Sequence, residues 1–456
     1  MDQLSDELKE VVDARGARYR LGRLLGTGGQ GSVHEVAGGR LAVKLFGDRS
    51  PSRREQLRRQ LLQVKLLPLS ELPVARPLEM LQPPVLGYVM ELITGMMPLE
   101  RLMVPPSSVD IAEWYLQGGG LRRRLRLLAR LSELLARLHG LGLVYSDPSP
   151  RNTFVSEDAD QTELWLIDTD NLHHEGGFGT PTFYTPGFGA PELVRGERPV
   201  STLTDAHALA VLVFQTLSLV HPLVGDAVDE GEPELQERAF AGDAELPWVD
   251  HPTDTRNASS RGLPRELVLT KALQALCQTA FVEGLSSALE RPLAARWAEA
   301  LHQAADRTLL CGTCQGTFYL NLKQCPFCGT PRDAFVLLKV RRWEPTRTDG
   351  PKLAELPPVD YLALQSSSPQ TLTARLTEGL TGPPAHAPQV ELTLQERKLK
   401  VRCLEGTCIA TASDGSQPTQ LDGRPRTMPF DWLLHFGPLE RPHRVAQFER
   451  FPEVRP

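Results

Sequence analysis

The sequence predicts an α+β protein: an antiparallel sheet with one helix, then a mostly helical region, a cysteine ribbon and a small β-rich domain. Three observations carry that expectation. Tyr19 to Phe46 reads as three consecutive strands, with Gly38-Gly39 as a hairpin turn signal. Leucines at 121, 125, 128, 131, 135 and 138 mark one face of a helix from Leu121 to His139, ended by Gly140. Two Cys-x-x-Cys pairs, followed by short strand-like runs among proline-rich intervals, mark the ribbon and the β-rich tail.

At 456 residues the chain exceeds one ordinary core, so two or three domains are expected. Its 41% apolar and 23% charged residues are typical of soluble globular proteins. A net charge of −6 argues against non-specific nucleic-acid binding. Arg122-Arg123-Arg124 and the arginines from Arg53 to Arg59 read as solvated helix faces. Met1 to Glu7 lacks the basic and apolar regions of a signal peptide, and no run of about 18 apolar residues offers a membrane span. Seven cysteines, four of them in close pairs, point to metal ligation in a reducing cytoplasm rather than to disulfides.

In chain order, residues 1–18 read as a short charged helix or arm. The first strand leads into Gly26-Thr27-Gly28-Gly29-Gln30-Gly31-Ser32-Val33. Gly26, Gly28 and Gly31 lack a β-carbon, so backbone N–H groups there can approach phosphate oxygens. Dinucleotide-binding folds share this spacing, but there the loop opens a helix. Here another strand follows, then Ala42-Val43-Lys44, whose lysine can reach the same phosphates. Ser50-Pro51-Ser52 opens a helix over Arg53 to Leu67, in which Glu55 is the only acidic residue. Val85 to Leu92 reads as a buried strand.

Candidate chemistry concentrates in Tyr145-Ser146-Asp147-Pro148-Ser149-Pro150-Arg151-Asn152 and in Asp168. Asn152 to Val155 and Leu164 to Ile167 read as short strands, which would bring two carboxylates and a carboxamide to neighbouring strand ends. Phosphoryl transfer needs that set: a carboxylate to orient a hydroxyl, and an asparagine with a second carboxylate to hold magnesium on the phosphates. Taken alone, the stretch also reads as a surface turn rich in Asp, Pro and Ser.

Glycine loop, strand lysine, Asp147, Asn152 and Asp168, in this order, resemble a protein kinase over about Tyr19 to Ala304. The resemblance implies a bilobal protein-kinase-like fold, with an N-lobe of antiparallel sheet plus helix over 19–93 and a mostly helical C-lobe over 94–306. ATP would lie under the glycine loop with Lys44 on its α- and β-phosphates. Asp147 would be the base or orienter, and Asn152 and Asp168 would hold Mg2+. Glu55 would pair with Lys44, or else simply favour the helix N-terminus. Met90 would be the gatekeeper, the backbone of Glu91 to Ile93 would meet adenine, and Val33, Ala42 and Phe154 would be its walls, or else plain core. Arg151 would supply the charge that serine/threonine kinases place as a lysine at the position of Ser149.

Departures from the pattern have consequences of their own. Tyr145-Ser146-Asp147 replaces His-Arg-Asp and removes the receptor for a phosphorylated activation loop. Asp168-Thr169-Asp170 replaces Asp-Phe-Gly and removes the glycine that lets the motif flip. Asn171 to Glu192 resembles an activation segment closing on Ala190-Pro191-Glu192. Thr180, Thr182, Tyr184 and Thr185 are its candidate phosphosites, or ordinary turn residues. Asp205 matches the aspartate that binds the catalytic-loop backbone, and Arg291 the arginine that pairs with Glu192. Small-molecule kinases generally lack the latter pair, which favours a protein substrate. His139 reads as a residue of the last helical turn, and His173-His174 as exposed.

Cys311, Cys314, Cys325 and Cys328 suit a closed tetrahedral Zn2+ site in a ribbon over 307–332, with Phe318 to Leu320 as a ribbon strand. Iron in a rubredoxin-like site or a cluster is the alternative; a redox dithiol lacks its usual βαβ context. Residues 333–456 read as a small β domain with strands at Phe335–Val340, Val390–Leu394 and Lys400–Cys403. Cys277, Cys403 and Cys408 read as buried thiols.

The activity expected is ATP- and Mg-dependent phosphorylation of a protein hydroxyl, Ser or Thr before Tyr, in bacterial signalling. No nucleic-acid or membrane partner is expected. Some bacterial proteins that the chain is similar to are encoded beside von Willebrand factor A proteins and a metal-dependent phosphatase, so the resemblance implies these as partners. The alternatives are a pseudokinase scaffold that recruits through its ribbon and β domain, and a small-molecule kinase.

Overall fold

The computed structural model describes residues 9–28, 31–47, 50–176, 184–345, 353–365, 369–395, 398–452 and 454. It is a mixed assembly of sheets and helices that divides into two compact units. One comprises Met1–Ser107, Leu127–Leu263 and Lys271–Ala298; the other comprises Ser108–Arg126, Pro264–Thr270 and Glu299–Pro456. The boundary expected at 306/307 falls inside the second unit.

The first unit begins with a six-stranded antiparallel sheet. Its strands are β1 (Glu10–Val12), β2 (Arg18–Gly28), β3 (Gly31–Val36), β4 (Leu41–Phe46), β5 (Glu79–Met80) and β6 (Gly87–Glu91), in the order β1-β2-β3-β4-β6-β5. The segment read as a helix or arm contributes β1 instead. Val11 is buried, and Asp13 closes the following turn by accepting the Arg15 and Ala17 N–H groups and the Tyr19 hydroxyl. A single buried valine and one satisfied carboxylate are too weak a sequence pattern to announce a strand.

Strand alternation sorts the sheet into two faces. Val43 and Leu45 pack with Val11, Val36, Leu81 and Val89 on one side. Phe46 and Tyr88 pack with Leu61, Met80 and Leu86 on the other, under helix α1 (Pro51–Leu66). Lys44, between Val43 and Leu45, therefore shares the face of α1. Proline at the first turn of α1 is pre-set for helix, and Leu57, Leu61 and Val64 give the stripe that packs down. Gly31 has φ of +157°, and a Cβ there would lie 1.9 Å from the Leu45 carbonyl oxygen, so β3 can approach β4 this closely only without a side chain.

The rest of this unit is built on two long helices. Helix α2 spans Gly120–Gly140, and from Leu127 onward its Leu128, Leu131, Leu135 and Leu138 are buried. Helix α3 (Thr202–Ser218) starts at a capping box between Ser201 and Thr204 and is buried along nearly its whole length. Phe214, Trp248 and Phe281 cluster beside it with ring centroids 5.5–6.1 Å apart. Short strands β7 (Met96–Pro98), β9 (Thr153–Ser156) and β10 (Leu164–Leu166) form one small sheet; β8 (Leu143–Val144) and β11 (His173–His174) form a two-stranded one. Arg291 grips Glu192 through two 2.7 Å bonds, with both side chains buried.

In the second unit, the short helix Ile111–Gln117 is capped by Asp110 and is followed by the first turns of α2. Arg122 donates to Thr308, and Arg124 is fully buried over the Tyr115 ring at 3.8 Å, donating to the Tyr115 and Gly120 carbonyls. The expectation of a solvated face for Arg122 to Arg124 is thus overturned: here the guanidinium groups satisfy carbonyls, among them that of Tyr115 in the last turn of the short helix, where carbonyls lose their intrahelical partners. Strands Thr308–Leu310 and Thr317–Tyr319 form the ribbon hairpin. The tail makes a six-stranded sheet, led by Phe335–Trp343 and His443–Phe451, and a four-stranded sheet, led by Pro388–Gln395 and Lys398–Cys403. Val340, Leu338, Leu372, Val390, Val401 and Leu434 are in their common core. Cys277, Cys403 and Cys408 are buried. No described helix is long and apolar enough to cross a membrane.

The Glu192–Arg291 pair generates a stability prediction. Burial pushes the Glu192 carboxyl up, but its bonds to Arg291 hold it below its ordinary 4.5. A depressed carboxyl contributes stability above its unfolded value and loses it as pH falls through the folded one. Arg291→Ala is expected to cost about 3–5 kcal/mol in urea unfolding at pH 7, and less below about pH 4.

Candidate functional site

The loop between β8 and β9 is held from behind by a buried carboxylate. Asp205, in the first turn of α3, accepts the Tyr145 N–H at 2.7 Å and the Ser146 N–H at 3.0 Å, and meets His139 Nε2 at 3.2 Å. Its side chain is wholly buried. Ser146 has φ of +83°, a left-handed conformation that an ordinary residue keeps only when its surroundings enforce it. Asp205 supplies that enforcement, and the Ser146 hydroxyl adds a bond to the Asn171 carbonyl at 3.0 Å. His139 is therefore more than a last-turn residue. His173, read as exposed, is half-buried, with Nδ1 2.8 Å from the Asn171 carbonyl oxygen.

Asp147 emerges from this loop. Asn152 Nδ2 donates to Asp147 Oδ2 at 3.0 Å. The Thr185 N–H donates to Oδ1 at 2.8 Å and the Thr185 hydroxyl to Oδ2 at 3.0 Å. Burial pushes the Asp147 carboxyl above its ordinary value in spite of these donors. Strand pairing brings Asn152 next to the approach to Asp168: the Ile167 N–H donates to the Asn152 carbonyl at 2.9 Å. The Tyr145 hydroxyl also donates to the Ile167 carbonyl.

Lys44 lies opposite. Its Nζ donates to Asp168 Oδ1 at 2.5 Å and also to Asp170 Oδ2. Burial would lower the ammonium's pKa, but the two carboxylates outweigh it and hold Lys44 charged. Asp170 is fully buried; burial pushes its carboxyl up, and Lys44 pulls it back. Asp170 Oδ1 accepts the Tyr88 hydroxyl at 2.6 Å, and the Asp170 carbonyl accepts Gln60 Nε2 at 2.6 Å. Asp168 has φ of +58°, which turns the chain so that Asp168 and Asp170 face the same ammonium.

Two expected roles are not met. Glu55 bonds Arg59 at 2.9 Å on the exposed side of α1 and does not reach Lys44. Five residues further on, on another face of the helix, Gln60 faces inward. Arg151 pairs with Glu100 at 3.0 Å, with 74% of its side chain exposed, and so does not supply charge beside Asp147. Ser149 is buried, and its hydroxyl finds no partner among the described residues.

The remaining candidates follow the sheet register. Val33 pairs with Lys44, and Ala42 with Met90. Gly26 and Gly28 lie on the exposed end of β2, with Gly28 opposite Gly31. Glu91 ends β6, and Phe154 in β9 is half-buried. Thr180 and Thr182 lie outside the described residues; Tyr184 and Thr185 are half-buried, and the Thr185 hydroxyl is engaged by Asp147.

The sulfur atoms of Cys311, Cys314, Cys325 and Cys328 lie within 4.8 Å of one another. Two matching knuckles aim them: the Cys311 N–H bonds the Gly316 carbonyl and the Cys325 N–H bonds the Thr330 carbonyl, each at 2.8 Å. The residue after each second cysteine, Gln315 and Gly329, is left-handed.

Sequence reasoning missed Asp170, Tyr88 and Gln60. Asp170 is itself a signal, a charged residue in place of an expected glycine. The register that sets Tyr88 opposite Lys44 appears only in the folded sheet.

No family model matches the chain. Over 110 residues, 24% of the chain, it is 34% identical to serine/threonine-protein kinase PknG of Mycobacterium leprae, covering 14% of that protein. Over 225 residues, 46% of the chain, it is 30% identical to the DNA damage-responsive serine/threonine-protein kinase RqkA of Deinococcus radiodurans, covering 31% of it. Over 236 residues, 50% of the chain, it is 23% identical to serine/threonine protein kinase OSK3 of rice, covering 43%. The chain thus spans less than half the length of each of these relatives.

The Asp205 clamp is testable by itself. Asp205→Ala leaves the Tyr145 and Ser146 N–H groups without their acceptor; we expect a loss of about 2–5 kcal/mol, measured by denaturant unfolding.

Proposed function

We propose, on the premise that the chain is a relative of the serine/threonine protein kinases within the protein kinase superfamily, that it is an ATP- and Mg-dependent protein kinase of bilobal fold. The observation that carries this reading is the convergence of Lys44 with Asp168, and of Asn152 with Asp147, on strand ends joined through Ile167. The residues fit a divalent cation. Asp168 keeps 30% of its side chain exposed, and a single ammonium, Lys44, meets the two carboxylates, so the group carries excess negative charge. Asn152 and Asp168 would hold Mg2+, which when bound neutralises charge on the phosphates.

In this reading, Lys44 binds α- and β-phosphate oxygens. Glycines 26, 28 and 31 let backbone N–H groups approach the triphosphate. Met90, Val33, Ala42 and Phe154 enclose adenine, which meets the backbone from Glu91. Asp147 orients the acceptor hydroxyl and takes its proton; its raised pKa brings it nearer to that task than an ordinary carboxylate. The substrate is a protein hydroxyl, Ser or Thr before Tyr. A von Willebrand factor A protein is among the candidates that the resemblance supplies.

The four cysteines fit zinc. A tetrahedron with Zn–S near 2.3 Å sets sulfurs roughly 3.8 Å apart, and Cys311–Cys328 and Cys314–Cys325 stand at 3.5 and 3.6 Å. A closed four-sulfur site of this kind stabilises the ribbon and does no chemistry.

The second reading, a nucleotide-binding scaffold without transfer, is favoured by the Arg151–Glu100 pair, which withholds a cation from the catalytic loop. Labelled ATP separates the two. Wild-type protein is expected to autophosphorylate with Mg2+ and to stop on chelation; Asp147→Asn should lower the rate roughly 10²–10⁴-fold while still binding ATP. Binding without any transfer by the wild type supports the scaffold. For the ribbon, elemental analysis should find one zinc per chain, lost in Cys325→Ser; iron in its place overturns the zinc assignment.

A further inference from the structure

Protein kinases resembling this chain take the partner of their strand lysine from a helix, and α1 offers no such partner here. Glu55 is turned outward to Arg59, and the inward residue, Gln60, is neutral. We propose that Asp170 is the positioning residue for Lys44 when nucleotide is bound, with Tyr88 and Gln60 fixing Asp170 in turn. This assignment rests on the nucleotide-binding reading above.

Asp168 and Asp170 both bond Lys44, but only one of them is free to leave. Asp168 is 30% exposed and stands where a cation can claim its oxygens. Asp170 is wholly buried, and each of its carboxylate oxygens is already engaged: Oδ2 by Lys44, Oδ1 by the Tyr88 hydroxyl at 2.6 Å. Its backbone carbonyl is held by Gln60 from α1 at 2.6 Å. Tyr88 and Lys44 are direct cross-strand partners in the β4–β6 ladder, so their side chains leave the same face of the sheet side by side. A carboxylate without water around it cannot swing away from its ammonium without leaving a buried charge unpaired, which is far more costly than a surface rearrangement. When Asp168 turns to a cation, Asp170 therefore keeps Lys44 in place.

The consequence is regulatory. Where the lysine's partner rides on a helix, moving that helix breaks the pair. Here the ion pair is made between the sheet and the turn after Asp168, and α1 contributes the neutral Gln60 amide, which donates to the Asp170 carbonyl and to Asn171 Oδ1. Nucleotide binding is then insensitive to the charge on α1.

Calorimetric titration of the full chain with a non-hydrolysable ATP analogue and Mg2+ tests this. Asp170→Asn, close to isosteric, is expected to weaken binding roughly tenfold to hundredfold, the loss of one charged hydrogen bond. Tyr88→Phe, the milder variant, should weaken it about threefold to tenfold. Glu55→Ala should bind as wild type does. A double-mutant cycle separates positioning from mere structure: in a Lys44→Met background, Asp170→Asn should have no further effect. Wild-type affinity in both Asp170→Asn and Tyr88→Phe, an equal loss with and without Lys44, or a loss in Glu55→Ala overturns the assignment. If Asp170→Asn does not fold, Tyr88→Phe alone decides. A wild type that binds no analogue overturns the nucleotide reading, and this assignment with it, whereas binding that ignores Asp170 overturns the assignment alone.

Discussion

The first unit depends on a single buried ammonium. Lys44 lies on the inner face of the sheet, and its charge is tolerable there only because two carboxylates meet it. That requirement reaches outward. It fixes the turn after β10, in which Asp168 takes a left-handed conformation, and it recruits Tyr88 from the neighbouring strand. Lys44 lies on the same face of the sheet as α1, which packs over Phe46 and Tyr88. Two carboxylates against one ammonium leave an excess of negative charge in the cluster.

A second anchor works by the same physics on the opposite side. Asp205 is buried, accepts two backbone N–H groups, and so holds a loop whose Ser146 is in a sparsely populated conformation. Local strain at a site is kept by a stiff surround, here the apolar helix α3. Glu192 and Arg291 do the same for the segment that carries Thr185 to Asp147. Each anchor is a charge made affordable by full hydrogen bonding.

Much of this was legible because the chemistry is local in sequence. Asp147 and Asn152 share one loop, and strand patterns on both sides set the distance to Asp168. The leucine stripe of α2, the four-cysteine spacing and the partnership of Glu192 with Arg291 were legible too. What escaped depends on facing and register. Glu55 and Gln60 are both polar residues on α1, and which one turns inward depends on the stripe formed by Leu57, Leu61 and Val64, a narrow one among many arginines. Arg151 follows a proline in a turn, where no periodicity says which way a side chain leaves, and Glu100 is the partner it meets. The burial of Arg124 over Tyr115 could not be foreseen either, because a run of arginines on a helix usually means water. Asp170 was visible as a departure from pattern, but its role needs Tyr88, and that pairing exists only across the sheet.

The proposed function rests on Lys44, Asn152 and Asp168 together gripping a triphosphate and its ion. A structure of the chain with Mg2+ and a non-hydrolysable ATP analogue tests it most directly. Lys44 Nζ should lie on phosphate oxygens with Asp170 still beside it, and the metal should be bonded to both Asn152 and Asp168. An empty cleft at saturating analogue, or a nucleotide bound elsewhere with Lys44 still closed on Asp168, would contradict it.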